Sequence, residues 1–302
     1  MGGVDPATDA LVREAVVRSL REGVNMVDSA INYRGQRGER CVGDALKQAA
    51  AEGHARREQI FVATKAGFIP ADADKRQSAQ RTLHQWVKER NVSMSEVVDS
   101  KHCIHPRCLE ASISQSRTNL GLQTLDLVYL HNAAEKQLTR VGRAEFMRRL
   151  RAAFEYLESQ RRAGVIRAYG LATWTCFRVA PTSPQHLSLE DAVKVAREVG
   201  GGADAHGLRF VQLPVYAGAL EAWEQPWQVV GGKHATFLEA ASALGVAVVS
   251  SKSVGGARPG ALRDAAAALR GCPAAEGLVP ADKGAAALQL ARSMPGLTTA
   301  LV

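Results

Sequence analysis

The stretch GVNMVDSAINY, from Gly23 to Tyr33, decides how this sequence is expected to fold. A short apolar run follows the glycine and ends at Asp28, where polar residues return. This pattern predicts a buried strand with a carboxylate at its C-terminal end. The pattern occurs twice more, in IFVATK, which ends on Lys65, and in LDLVYLH, which ends on His131. The sequence therefore predicts three buried strands that each end on a different ionisable residue.

Helix-period and strand-period segments alternate along the whole chain. Seven strands are predicted, each after helical material, in VNMVD, IFVATK, LDLVYLH, IRAYGLA, RFVQL, VAVVS and LTTALV. This alternation predicts a parallel sheet with helical crossovers. An open doubly wound sheet would need a glycine fingerprint after an early strand, and no GxGxxG occurs there. The predicted elements begin with a helix and end with a strand. This order matches a (β/α)8 barrel without its first strand and last helix.

Two long segments lack a clean period. The segment from Gly67 to Pro106 is longer than an ordinary barrel loop, and we expect it to be an insertion over the mouth of the barrel. We expect residues 1–302 to form a single barrel domain. The stretch from Tyr216 to Gly232 is expected to be irregular as well. The last two helices are predicted over roughly residues 260–269 and 282–293.

Composition and charge limit the functional class. The chain has 302 residues, of which 46% are hydrophobic, and a formal net charge of +8. The basic residues are scattered and form no nucleic-acid motif, so we expect a solvated surface without a nucleic-acid partner. Five cysteines without a CxxC pair indicate free thiols in a reducing compartment. With no signal stretch and no membrane-spanning run, we expect a cytoplasmic protein.

A cluster of thiols and imidazoles raises a metal-binding hypothesis. His102, Cys103, His105 and Cys108 lie within seven positions of each other, and such side chains ligate zinc. Their spacing matches no standard paired zinc site. We therefore expect no metal and interpret the segment as a helix start at Pro106 with buried thiols nearby.

The strand ends point to acid catalysis. In a parallel barrel they converge on one mouth, so Asp28, Tyr33, Lys65 and His131 are expected to share a pocket. A lysine ammonium stabilises a neighbouring phenolate and makes the tyrosine a stronger acid. Asp28 would hold the buried ammonium, and His131 would donate a hydrogen bond to a substrate oxygen. Each of these residues alone has a structural explanation; together they indicate a tuned acid aimed at a carbonyl.

Lys65 leaves another enzyme class open. An isomerase or aldolase would use its amine as a nucleophile and form a Schiff base. That chemistry requires an unpaired lysine.

Five motifs in order carry a resemblance to the aldo-keto reductase superfamily. They are GVNMVDSAINY, the TK pair that ends a strand, DLVYLHN, GVIRAYGLATW and FVQLP, and the resemblance covers about Asp5 to Val302. It implies a (β/α)8 barrel that reduces a small-molecule carbonyl substrate with NADPH, as a monomer or small homo-oligomer. It also implies that Tyr33 is the general acid, that Lys65 and Asp28 tune it, and that His131 orients the carbonyl. The implied cofactor-binding residues are Thr173, Gln212, Ser253, Val254, Gly255 and Gly256.

The sequence departs from the family pattern around the cofactor. Ala172 and Thr173 stand where many members have a Ser-Asn pair, and Val215 stands where an aromatic residue often stacks on the nicotinamide, with Tyr216 next to it. The glycine-rich first strand and the basic segment for the adenosine phosphate are absent from the sequence. The choice of NADP over NAD therefore follows from the family and the net charge. A catalytically idle or truncated barrel that binds a cofactor or a partner is the alternative.

Overall fold

The computed structural model describes residues 3–202, 205–257, 260, 262–264, 267 and 282–302. The chain divides into two compact units, Met1–Gly170 and Leu171–Val302. Among the described residues, no helix is long and apolar enough to cross a membrane.

The first unit alternates strands and helices. Its elements are α1 (Pro6–Arg21), β1 (Met26–Asp28), α2 (Arg37–Ala51), β2 (Phe61–Ala66), α3 (Ala79–Arg90), α4 (Pro106–Leu120), β3 (Leu125–His131), α5 (Ala133–Val141) and α6 (Arg143–Arg162). Strand β4 (Ile166–Ala172) runs across the boundary between the two units. All four strands occur where the sequence predicts them.

Parallel pairing fixes which side chains of the first unit share a face. β1 pairs with β2 so that Asp28 lies opposite Ala63, and β2 pairs with β3 so that Lys65 lies opposite Tyr129. Strand β3 is buried along its whole length, and β2 nearly so. The prediction of a buried β1 is wrong, because its residues are only half-buried. In the described part of this unit β1 pairs with β2 alone, so its other side lacks the cover of a neighbouring strand.

Helix α2 packs against α4 at a close approach. A Cβ atom at Gly43 would lie 2.6 Å from the carbonyl oxygen of Asn119. Beside this contact, the buried carboxylate of Glu39 accepts hydrogen bonds from Thr64 (2.5 Å) and Asn119 (2.8 Å). Burial raises the pKa of Glu39, although these donors oppose the shift.

The segment from Gly67 to Pro106 is more regular than expected. It contains α3, which Ser78 caps and which ends at Asn91 in the left-handed conformation. The segment shares a small core with α4, formed by Ile69, Leu83, Trp86, Val92, Cys103, Cys108 and Ala111. Two of the buried residues of α3, Leu83 and Trp86, belong to this core.

The second unit contains the remaining predicted strands. Its elements are α7 (Leu189–Gly200), β5 (Leu208–Pro214), α8 (Glu221–Glu224), β6 (Gln228–Val230), β7 (Lys233–Ala235), α9 (Phe237–Ala243), β8 (Ala247–Ser251), α10 (Lys283–Arg292) and β9 (Thr299–Ala300). Strand β8 pairs in parallel with β5 and with β9. Half of the residues in the helix predicted over residues 260–269 lie outside the described residues.

The stretch from Tyr216 to Gly232 also contains regular structure. It includes α8 and β6, and β6 forms an antiparallel hairpin with β7. Gly231 and Gly232 connect the two strands with φ values of 57° and 79°, which favour glycine at both positions of a two-residue hairpin turn. The signal for this hairpin is the Gly-Gly pair, which the expectation of an irregular stretch overlooked.

Candidate active site

Lys65 is the most buried ionisable side chain of the predicted pocket. Its side chain is 1% exposed, and its Nζ atom donates hydrogen bonds to the Asp28 carboxylate and to the Ser29 carbonyl, the latter at 2.9 Å. A buried ammonium needs such partners to offset the loss of hydration. The Schiff-base alternative requires an unpaired amine, and the two hydrogen bonds of Lys65 argue against it.

Tyr33 lies beside this ion pair in the loop between β1 and α2. The Nζ atom of Lys65 is 5.1 Å from the centroid of the Tyr33 ring. The rings of Tyr33 and His131 meet edge to face, with 5.8 Å between their centroids. All four predicted residues of the first unit, Asp28 included, are therefore brought together.

The loop that carries Tyr33 is anchored to helix α1. Arg34 has a φ of 52°, and its guanidinium donates to the Asp9 carboxylate at 2.5 Å and to the Gly3 carbonyl at 2.7 Å. Arg37 also contacts Asp9, at 3.0 Å. These contacts fix the main chain on the C-terminal side of Tyr33.

His131 is a neutral, buried imidazole. Its side chain is 7% exposed, and burial lowers its pKa to about 3, with further contributions from Lys65 and His102. At neutral pH the ring is therefore uncharged. Phe68 packs edge-on against the same ring, with centroids 4.9 Å apart.

Tyr129, which was not predicted as a site residue, faces the same interior. It lies opposite Lys65 in the sheet and two residues before His131, so strand alternation places these three side chains on one face. Its hydroxyl is buried and has no hydrogen-bond partner in the part of the chain that the structure describes. Burial, with a smaller contribution from Asp28, raises the pKa of Tyr129 well above its ordinary value. The two-residue spacing from His131 is the signal that could have identified it.

In the second unit, Thr173 and Gln212 are in direct contact. The backbone N–H and the hydroxyl of Thr173 both donate to the Gln212 carbonyl, at 2.7 Å and 3.3 Å. Both residues are buried; Thr173 directly follows β4, and Gln212 lies within β5, two residues before its end. Val215 is also buried and Tyr216 half-buried, so Tyr216 is the more accessible of this pair.

The turn after β8 presents main chain rather than side chains. The Ser253 hydroxyl points inward and lies 2.8 Å from the Ser250 hydroxyl. Gly255 and Gly256 have φ values of 62° and 67°, and Gly256 is exposed with no described atom within 4 Å of a built Cβ. Lys252, which was not predicted as a site residue, follows β8, and its Nζ atom lies 4.5 Å from the centroid of the Trp174 ring. A lysine directly after a predicted strand was the available signal.

The four residues of the metal hypothesis have different partners. His102 lies 2.8 Å from the His131 carbonyl, whereas His105 accepts a hydrogen bond from the Arg107 backbone. The sulfur atoms of Cys103 and Cys108 lie 2.8 Å apart. Across the described residues, no three His, Cys, Asp or Glu side chains form a group that could hold a metal ion.

Known proteins resemble this chain in both sequence and fold. A sequence profile of the Aldo/keto reductase family matches residues 2–183, which is more than half of the chain. The chain belongs to the aldo/keto reductase family. This confirms the resemblance seen in the five motifs and places the protein among the oxidoreductases of this kind. No curated protein matches the chain.

Solved aldo-keto reductases share the fold. The thermostable aldo-keto reductase Tm1743, solved with the inhibitor epalrestat, is 15% identical over 98% of this chain and 78% of its own, with a TM-score of 0.61. The aldo-keto reductase AKR11C1 from Bacillus halodurans, in its holo form, is 17% identical over 97% of this chain and 76% of its own, with a TM-score of 0.55. This likeness confirms the predicted α/β class and the aldo-keto reductase type of fold.

Proposed function

We propose that this protein is an NADPH-dependent reductase that converts a small-molecule aldehyde or ketone into an alcohol. The observation that carries the proposal is the ion pair of Lys65 and Asp28 beside Tyr33: Lys65 Nζ lies 5.1 Å from the centroid of the Tyr33 ring, and the His131 ring meets that ring edge to face. Residues 1–302 would act as one reductase domain, in which the segment from Gly67 to Pro106 is the insertion.

Each of the four side chains has a separate role in the proposal. Tyr33 gives its hydroxyl proton to the carbonyl oxygen of the substrate. The Lys65 ammonium stabilises the phenolate that remains, and Asp28 keeps that ammonium in place. His131, being neutral, donates a hydrogen bond that orients the carbonyl.

The residues of the second unit fit a dinucleotide cofactor, which when bound supplies the hydride. The exposed main chain at Gly256 suits a phosphate oxygen, whereas the Ser253 hydroxyl is already engaged by Ser250. Gln212 and Thr173 would hold the carboxamide. Lys252, a cation beside the turn, adds charge that favours a phosphate. The net charge of +8 favours NADPH over NADH.

The proposed setting is the cytoplasm, with the protein a monomer or small homo-oligomer that needs no nucleic-acid or membrane partner. In the described part of the chain, Cys41, Cys103 and Cys108 are buried free thiols, which suits a reducing compartment.

The test compares NADPH consumption with a reactive aromatic aldehyde in the wild type and in Tyr33→Phe. General acid catalysis contributes about 100- to 10,000-fold, so kcat should fall by at least about 100-fold. NADPH affinity, measured by fluorescence quenching, should stay unchanged because only the proton donor is lost. Tyr156→Phe is the matched control; Tyr156 lies on α6 beside Arg90 and Glu110, and the control should keep wild-type turnover.

Two outcomes would contradict the proposal. Unchanged turnover in Tyr33→Phe would remove Tyr33 from the mechanism. NADPH binding without turnover of any carbonyl compound would instead identify a cofactor-binding protein of this family.

A further inference from the structure

The position of the His131 ring depends on its main chain. Its Nδ1 atom is buried and has no hydrogen-bond partner within the described residues, and its ring contacts are the edge-on packings with Tyr33 and Phe68. The register with β2 ends one residue earlier, at Leu130. His131 is the last residue of β3, so a residue that holds its carbonyl acts together with the strand in setting where the ring lies.

That residue is His102, whose Nε2 atom lies 2.8 Å from the His131 carbonyl oxygen. A carbonyl only accepts, so Nε2 must carry the hydrogen, and Nδ1 of His102 must then be an acceptor. The Gln137 amide nitrogen lies 3.1 Å from this Nδ1 and supplies the donor. The orientation of that amide is set in turn, because Arg149 donates to its oxygen at 3.3 Å. The chain of donors from Arg149 to His131 fixes a single tautomer of His102.

Gly67 leaves the space that this contact requires. A Cβ at Gly67 would lie 2.9 Å from Nε2 of His102 and 3.4 Å from the His131 carbonyl oxygen, and its φ of 131° favours glycine. The Gly67 carbonyl accepts the Cys103 backbone N–H at 2.8 Å, which ties the His102 loop to the end of β2. The turn after Lys65 is therefore shaped around the imidazole of His102.

We propose that His102 is a positioning residue for His131: it holds the His131 carbonyl and thereby fixes the ring that orients the substrate. This inference rests on the proposed function. His102 is fully buried, and burial, with a smaller contribution from the Lys136 ammonium, lowers its pKa to about 4. It acts as a neutral hydrogen-bond donor and touches no reacting atom.

The kinetic test uses His102→Ala, His102→Gln and the control His105→Ala. A small misplacement of an orienting group costs up to about 100-fold in rate, so His102→Ala should lower kcat by about 10- to 100-fold while NADPH affinity is kept. His102→Gln should recover most of this loss, because its amide can donate to the same carbonyl. His105 lies in the same loop and also bonds to main chain, and its replacement should leave kcat unchanged. A folded His102→Ala variant with wild-type kcat would overturn the proposal.

An NMR test on protein with labelled histidine needs no turnover. The His102 ring should be protonated at Nε2 and unprotonated at Nδ1, and the opposite tautomer would overturn the proposal. In His102→Ala the His131 ring signals should shift as the contact with Tyr33 loosens; unchanged signals would also overturn it. If His102→Ala does not fold, Gln137→Leu should produce a smaller shift of the same signals. If the wild type showed no reductase activity but the His131 signals still shifted in His102→Ala, the proposed function would be wrong, and the role of His102 in positioning the His131 ring would still stand.

Discussion

Acidification should destabilise the first unit through its two buried histidines. The pKa of His131 is lowered from 6.5 to about 3 and that of His102 to about 4, in both cases mainly by burial. In the unfolded chain both rings take up a proton near pH 6.5, whereas in the folded chain neither does until well below pH 5. Since the unfolded state binds more protons in this window, the free energy of unfolding must fall as the pH drops.

The size of this effect follows from the lowered pKa values. Between about pH 7 and pH 5, each histidine that is neutral when folded and charged when unfolded costs about 2 kcal/mol, so the pair costs about 4 kcal/mol. The stabilisation is fully present above about pH 6.5 and is lost towards pH 4. Glu39 acts in the opposite direction, because burial raises its pKa. His105, whose pKa is also lowered by burial, adds to the loss on acidification.

A matched variant isolates the contribution of one histidine. Urea denaturation, followed by tryptophan fluorescence at pH 7 and pH 5, should give a pH dependence that is about 2 kcal/mol smaller in His102→Gln than in the wild type. The effect of Glu39 cancels in this comparison. An equal pH dependence in the two proteins, or an NMR titration of His102 near pH 6.5, would refute the reasoning.

Two further predictions concern packing and capping. Gly43→Ala places a Cβ against the main chain of α4 at Asn119, so the free energy of unfolding should fall by about 1 to 3 kcal/mol; an unchanged melting temperature would show that the helices move apart freely. Thr236→Ala removes the capping box that Thr236 and Glu239 form at the start of α9 and should cost about 1 kcal/mol, seen as faster amide hydrogen exchange in that helix. If the amide protons of α9 exchanged as slowly in Thr236→Ala as in the wild type, the capping box would not stabilise the helix.

The strands that carry the site are predictable because an apolar run and the ionisable residue that ends it are adjacent in sequence. An apolar run that stops at Lys65 or His131 indicates both that the strand is buried and where it ends. Parallel strands then bring their ends to one edge, which is why residues as distant as Asp28 and Lys65 form an ion pair. The half-burial of β1 was not predictable in this way, because it depends on which neighbours cover the strand.

The partners of His102 could not be deduced from local pattern. Its neighbours in sequence suggest a metal cluster, but its ring nitrogens meet Gln137 and the main chain of His131, 35 and 29 positions away. Nothing within a few residues of a histidine tells which atoms will face it once the chain has folded. Helix α3 was also overlooked; its buried residues Leu83 and Trp86 pack in a small core with residues on both sides of the helix in sequence and with α4.

The anchoring of Arg34 has a practical consequence for anyone who prepares this protein. The residue after Tyr33 is hydrogen-bonded to the main chain of Gly3 at 2.7 Å and to Asp9 on the first helix. A purification tag fused just before Gly3 would therefore disturb the contact between Gly3 and Arg34, the residue that follows the proposed acid Tyr33. We expect preparations tagged at opposite termini to differ in kcat, and kinetic comparisons among variants should keep the tag position constant.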